Sequence, residues 1–166
     1  MATADNLKAA FAGESQANRM CLAFAKKAEA EGLKQIARLF RAAAAAETVH
    51  ALAHFRVMRG VKETSDNLQA AVSGEAYEFT EMYPKFIAEA VGEANKAAEV
   101  SFKNAMAVEK VHHTLYSEAL TATRAGNDLP PAKIYMCEIC GNTVVGDVPD
   151  KCPVCGAGAV RFTEVQ

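Results

Sequence analysis

Ala45-Ala46-Glu47-Thr48-Val49-His50 and Ala107-Val108-Glu109-Lys110-Val111-His112 are two copies of one pattern, Ala-x-Glu-x-Val-His, set 62 residues apart. Upstream of each stands another glutamate: Glu14 lies 33 residues before Glu47, and Glu75 lies 34 before Glu109. The two halves of the chain therefore carry the same device, a Glu followed by a Glu-x-x-His. Two copies at so long a period suit a pair of helix pairs better than a solenoid, whose repeats are shorter and more numerous.

The surroundings of these copies read as helix. Residues 1 to about 126 are rich in Ala, Glu, Lys and Leu and hold one proline, Pro84, a composition that favours helix. A first helix is expected from about Ala4 to Glu31, stopping at Gly32, and a second from about Leu33 to Arg59, stopping at Gly60. A third is expected from Asp66, which with Gln69 resembles a capping box, to about Val91, kinked at Pro84. Gly92 breaks the chain, and a fourth runs to about Ala125. Each spans about 40 Å at the helical rise, and equal helices with short joins pack as an antiparallel bundle.

Carboxylates stand where the bundle core should be. Positions three, four and seven apart share a helix face. Glu14 shares one with Leu7, Ala10, Ala17 and Cys21; Glu47 with Phe40, Ala43, Ala44 and Ala51. Glu75 shares one with Leu68, Ala71, Val72, Phe79 and Met82; Glu109 with Phe102, Ala105, Met106 and Tyr116. Burying acids without partners costs several kcal/mol each or forces protonation, and these seams hold no basic residue to offset them. Cations do offset them. Glu47 with His50, Glu75 with Glu78, and Glu109 with His112 are i, i+3 pairs able to point at one place. Five carboxylates and two imidazoles match two divalent ions better than one, and the mixed oxygen and nitrogen donors favour iron or manganese over structural zinc. Ferritin-like di-metal carboxylate bundles use the same arrangement. His54 reads as a neighbour of the site or a surface residue, and His113, one position beyond His112, faces away by about 100°.

From Leu129 onward the character changes: four prolines, four glycines and four of the five cysteines crowd together. Gly126 can cap a helix and Pro130-Pro131 cannot continue one, which puts the domain boundary at 128/129. Cys137-Glu138-Ile139-Cys140-Gly141 and Cys152-Pro153-Val154-Cys155-Gly156 form two Cys-x2-Cys knuckles. They place four thiolates in a tetrahedron, each following Gly letting backbone N–H groups turn toward sulfur. So short a segment needs a metal staple, and zinc or a single iron both fit. Cys21, the odd cysteine, reads as a small core residue.

The chain holds 166 residues, 51% hydrophobic, enough for a packed core, which argues against disorder. Its 18 basic and 20 acidic residues give a net charge of −2, without the basic surplus of a nucleic-acid binder. No run approaches a membrane span. Met1-Ala2-Thr3-Ala4-Asp5-Asn6 lacks the features of a secretory signal, so a cytoplasmic location is expected.

Taken in order, Ala12-Gly13-Glu14-Ser15-Gln16-Ala17, Glu47-Thr48-Val49-His50, Gly74-Glu75-Ala76-Tyr77-Glu78, Glu81-Met82-Tyr83-Pro84, Ala107-Val108-Glu109-Lys110-Val111-His112 and the two knuckles resemble the rubrerythrin family. The resemblance implies a ferritin-like di-iron four-helix bundle over residues 1–128 and a rubredoxin-like domain over 129–166. It implies that Glu14, Glu47, Glu75, Glu78, Glu109 and His112 ligate the iron pair, with Glu47 and Glu109 bridging. His50 is then a ligand on reduction, when one iron moves to it from Glu78. Cys137, Cys140, Cys152 and Cys155 hold one redox iron, so the family context favours iron over zinc there.

The activity implied is reduction of hydrogen peroxide to water, a defence against oxidative stress, with a reduced pyridine nucleotide as ultimate donor through a separate reductase or a rubredoxin. Within one chain the tail is expected at a bundle end, far from the carboxylates. Homodimers of the family set one subunit's tail beside its partner's irons, which implies electron transfer between chains. Seven residues after Glu14, where many members have a tyrosine, this chain has Cys21, while Tyr83 remains as the other phenol near the irons. The alternatives are an iron-handling ferroxidase, against which the thiolate tail argues, and a bundle with a structural zinc ribbon that binds a protein partner.

Overall fold

Most of the long helices end by sending one residue into the left-handed region and bonding the next N–H back to a carbonyl five residues earlier. In the computed structural model, which describes residues 2–166, α1 (Ala2–Ala30) closes at Gly32, φ +79°, with Leu33 N–H donating to Ala28 O at 2.9 Å. The end of α5 (Lys96–Arg124) closes the same way at Gly126. After α2 (Lys34–Val57) and α4 (Tyr83–Gly92), however, the left-handed residues are Arg59 and Ala94, both at φ 55°. The expected stops at Gly60 and Gly92 are thus displaced. The bonds from Gly60 N–H to Phe55 O and from Asn95 N–H to Ala90 O, each 2.9 Å, satisfy otherwise orphaned carbonyls. They offset a left-handed cost of about 1–2 kcal/mol. Gly60 serves a different need, since a Cβ there would fall 2.0 Å from the Phe55 ring.

The third helix also departs from expectation. α3 (Thr64–Tyr77) starts two residues earlier than Asp66, after an extended Glu63 that makes no side-chain cap. No capping box forms at its start, and Gln69 Oε1 accepts from Arg124 Nη2 at 3.0 Å instead. The expected kink is a π-helical segment, Glu78–Met82, placed just before Pro84 in the first turn of α4. Proline lacks the N–H of a regular turn and its ring clashes with the carbonyl four residues back. The wider π turn takes up that conflict.

The chain forms two compact units, one up to Lys62 and one from Glu63 onward. In the first, α1 and α2 run antiparallel. Phe11 stacks on Phe55 with centroids 5.0 Å apart, and Phe24 meets Phe40 edge-on at 5.5 Å. Buried Ala25, Ala28, Ala37, Ala44 and Ala51 let the two backbones approach closely.

In the second unit α3, the π segment and α4 lie along α5. Tyr83, Phe86 and Phe102 cluster on one side of them, and Phe79 packs edge-on against His113. The tail is a three-stranded antiparallel sheet in the order β2-β1-β3, from β1 (Ile134–Cys137), β2 (Thr143–Val145) and β3 (Phe162–Val165). The fold is therefore a helical bundle with a small C-terminal strand region carrying the cysteine knuckles, and no described helix is long and apolar enough to cross a membrane.

Candidate metal centres

In the first unit, Glu14 of α1 and Glu47 and His50 of α2 bring one donor atom each within 4.8 Å of the others. His50 Nδ1 lies 3.1 Å from Glu47 Oε2 and 3.7 Å from Glu14 Oε2. Asn18, one turn after Glu14 and buried, fixes the register of the two helices. Its Nδ2 donates to Ala44 O at 2.6 Å and to Thr48 Oγ1 at 2.8 Å. Sequence reasoning passed over this residue, although an amide among alanines, four positions from a site glutamate, is itself a signal. Sharing of a hydrogen bond splits the two acids: Glu14 is raised, first by that bond to Glu47 and then by burial, and Glu47 is lowered by the same bond.

In the second unit, Glu75 of α3 and Glu109 and His112 of α5 converge within the same limit. His112 Nδ1 sits 2.8 Å from Glu109 Oε2 and 4.0 Å from Glu75 Oε1. Burial, then the charge of Glu109 and a hydrogen bond to it, push the Glu75 carboxyl up to about 7. Glu78, in the π segment, lies outside the tight cluster but is raised by burial and by the charge of Glu109. The Tyr83 phenol is raised by burial and then by the charges of Glu78, Glu109 and Glu75.

The acids are partly exposed rather than buried as the seams predicted. Side-chain exposure is 29% and 24% for Glu14 and Glu47 and 18% and 17% for Glu75 and Glu109. A helix pair taken alone covers only one side of each helix. Three donors in each unit nevertheless converge. Within each cluster an imidazole nitrogen lies about 3 Å from a carboxylate oxygen, the separation expected of neighbouring ligands on one ion with metal–ligand bonds near 2.1 Å. Cys21 is half-buried and in no cluster, and neither His54 nor His113 joins one among the described residues.

The four cysteines build two matching knuckles. Gly141 N–H donates to Cys137 O at 2.8 Å and Gly156 N–H to Cys152 O at 2.9 Å. Cys137 N–H donates to Asn142 O and Cys152 N–H to Ala157 O. Gly141 and Gly156 hold φ of +84° and +74°, the conformation for which the pattern required glycine. Cys137 Sγ lies 3.7 Å from Cys155 Sγ, and Cys140 Sγ 3.6 Å from Cys152 Sγ. A tetrahedron with metal–sulfur bonds of about 2.3 Å has edges of about 3.8 Å, so the cage fits a single tetrahedral ion. Burial opposes ionisation at both Cys140 and Cys152. At Cys152 the N–H groups of Cys155 and Val154, together with neighbouring sulfurs, bring the thiol down to about 7, while Cys140 is pushed up.

The tail does not lie far from its own chain's carboxylates, contrary to expectation. His112 Nε2 and Thr143 Oγ1 are 3.0 Å apart, and a Cβ on Gly141 would touch Val108 Cγ1 at 4.0 Å. The segment after Gly126 carries the first knuckle back onto α5 at Val108 and His112, which flank Glu109.

Comparison with known proteins agrees with these centres. The rubrerythrin family profile matches residues 5–120, and that of the rubrerythrin rubredoxin-like domain matches residues 135–163. Rubrerythrin-2 of Clostridium acetobutylicum is 34% identical, over 96% of this chain and 95% of its own. Nigerythrin of Nitratidesulfovibrio vulgaris is 37% identical, over 97% and 85%. A solved structure of nigerythrin in a mixed-valence state superposes with a TM-score of 0.57 at 36% identity, covering 98% of this chain and 86% of that one. The carboxylate and histidine donors and the four-cysteine cage are those of a rubrerythrin di-iron site and its rubredoxin-like iron, and the chain belongs to the rubrerythrin family.

Proposed function

We propose that the protein reduces hydrogen peroxide to water at an iron pair, and that a single iron held by the four cysteines resupplies the electrons. The reading is carried by one observation: the only described contact between a histidine of a carboxylate cluster and the cysteine-bearing tail is the 3.0 Å bond of His112 to Thr143. Storage of iron has no use for such a join, and a structural zinc ribbon has no use for the acids.

In this reading Glu14, Glu47, Glu75, Glu78, Glu109 and His112 ligate the pair, Glu47 and Glu109 as bridges, and His50 joins in the reduced state. When bound, the iron pair supplies two electrons together, so the O–O bond breaks without release of a radical. Residues 1–128 serve as the peroxide-reducing part and residues 129–166 as the electron-carrying part. Tyr83 keeps its proton at neutral pH and offers a hydroxyl donor beside three carboxylates. A reductase drawing on NAD(P)H, or a rubredoxin, acts as donor; the working form is a homodimer or higher oligomer in the cytoplasm.

The test is aerobic purification followed by metal analysis, a visible spectrum and peroxide consumption with a chemical reductant. Iron at both kinds of site, a thiolate-to-iron band and peroxide turnover are expected. Ferrous oxidation without peroxide turnover would turn the reading to a ferroxidase. A colourless protein holding only zinc would end the electron-relay reading.

A further inference from the structure

The two nitrogens of His112 face different chemistry. Nδ1 points to the carboxylates of Glu109 and Glu75, and Nε2 points to the Thr143 hydroxyl. Thr143 opens β2, paired with Met136 of β1, so its backbone is held by the sheet. Its hydroxyl also reaches toward Gly141 O at 3.5 Å, on the residue after Cys140. We propose that Thr143 is a positioning residue of the carboxylate centre: its hydroxyl holds the His112 ring with Nδ1 toward the carboxylates and accepts the Nε2 proton once Nδ1 is a metal ligand. This rests on the reading of His112 as a ligand.

A hydroxyl is the group this place needs. In the tautomer that carries its proton on Nδ1, the ring donates to Glu109 and Nε2 accepts from the threonine O–H. With metal on Nδ1 the proton moves to Nε2, and the same oxygen, rotated, accepts it while its own hydrogen turns to Gly141 O. Either state is satisfied without moving the ring. A partner on the far nitrogen sets the orientation and basicity of a ligand histidine. The first cluster has no counterpart among the described contacts of His50, whose Nδ1 is engaged by Glu47 and Glu14 and whose ring is 55% exposed. Beside the Thr143 bond lies a cavity of about 510 Å³ lined in part by His112, Thr143, Tyr116 and Leu68. Without the hydroxyl, the Nε2 proton would open to water there.

Thr143→Val keeps the shape and removes the hydroxyl; Thr143→Ser restores it. The full-length protein is first loaded with zinc at the cysteines, then titrated with further zinc against a chelator, and the imidazole 15N and N–H signals are recorded. In the parent and in Thr143→Ser, a slowly exchanging Nε2–H signal is expected from His112 once the second class of zinc binds. In Thr143→Val that signal is lost to exchange and the second-class affinity falls about tenfold. Retention of both signal and affinity in Thr143→Val, in a protein whose parent binds second-class zinc, overturns the positioning role and leaves the metal-centre reading intact. A parent that binds zinc only at the cysteines overturns both. Unchanged cobalt colour at the cysteine cage in all three proteins checks that the tail stays folded.

Discussion

Glu14, Glu47 and His50 form the more open of two clusters built from one pattern; Glu75, Glu109 and His112 form the more enclosed. His50 is 55% exposed and His112 26%. The first cluster is held by helix register alone, through the Asn18 amide. The second is backed by the Thr143 hydroxyl, overlooked by the Tyr83 phenol and extended by Glu78 from a π turn. The same donor spacing thus brings donors together in both places, while neighbours distant in sequence decide how firmly they are held. The first half is thus the more adaptable and the second the more fixed.

The largest effect is expected where the halves are alike. Glu47→Ala and Glu109→Ala each remove a proposed bridge. Each should lower peroxide consumption by more than ~100-fold, since even outer partners of a metal site are worth about 10–100-fold. The visible band of the cysteine-bound iron should survive in both. Loss of that band together with activity would count against independent centres.

The histidines should separate the halves. His112→Ala removes a proposed ligand backed by Thr143 and should lower metal content at the carboxylates by ~10-fold or more in either redox state. His50→Ala should leave the content of the oxidised protein near normal and slow turnover. Equal metal loss in the two variants, measured by iron analysis of the oxidised proteins, would erase the contrast between adaptable and fixed halves.

Asn18 tests what holds the open half. Asn18→Ala deletes two hydrogen bonds from a buried position, one to Ala44 O and one to Thr48 Oγ1. A loss of about 1–3 kcal/mol is expected from thermal or denaturant unfolding. Thr143→Val should cost less stability than this, because its bond faces a cavity rather than a packed seam.

How far these features can be read from sequence follows from their range. The glutamate seams and the Glu-x-x-His pairs were legible because helix geometry turns spacing of three and four into a shared face. The knuckle glycines were legible because the Cys-x2-Cys-Gly turn needs positive φ. The Pro84 interruption was legible in place but not in kind, since proline demands a break and does not specify a π turn. Arg59 and Ala94 were not legible as helix ends, because a left-handed non-glycine residue is a small cost that a pair of backbone bonds outweighs. Thr143 was hidden for a different reason: it lies 31 residues from His112 and meets it only because the tail folds back onto α5. Spacing rules reach along one element, and this contact joins two.

The smallest effect concerns protons in the metal-free protein. The Glu75 carboxyl is raised from an ordinary 4.5 to about 7, mainly by burial and next by the charge of Glu109. A folded-state value above the unfolded one means that the contribution to stability is full below about 4.5 and is lost as pH rises through about 7. Metal-free protein should therefore unfold at progressively lower temperature between those values, and Glu75→Gln, which cannot ionise, should flatten that slope. In the first cluster the shifts of Glu14 and Glu47 run in opposite directions at solvent-screened positions, so Glu14→Gln should change the slope far less. Metal loading reverses the sign for both halves, because ions bind the ionised carboxylates and stabilise more as pH rises. A metal-free slope that Glu14→Gln flattens as much as Glu75→Gln would show that enclosure does not distinguish the two halves.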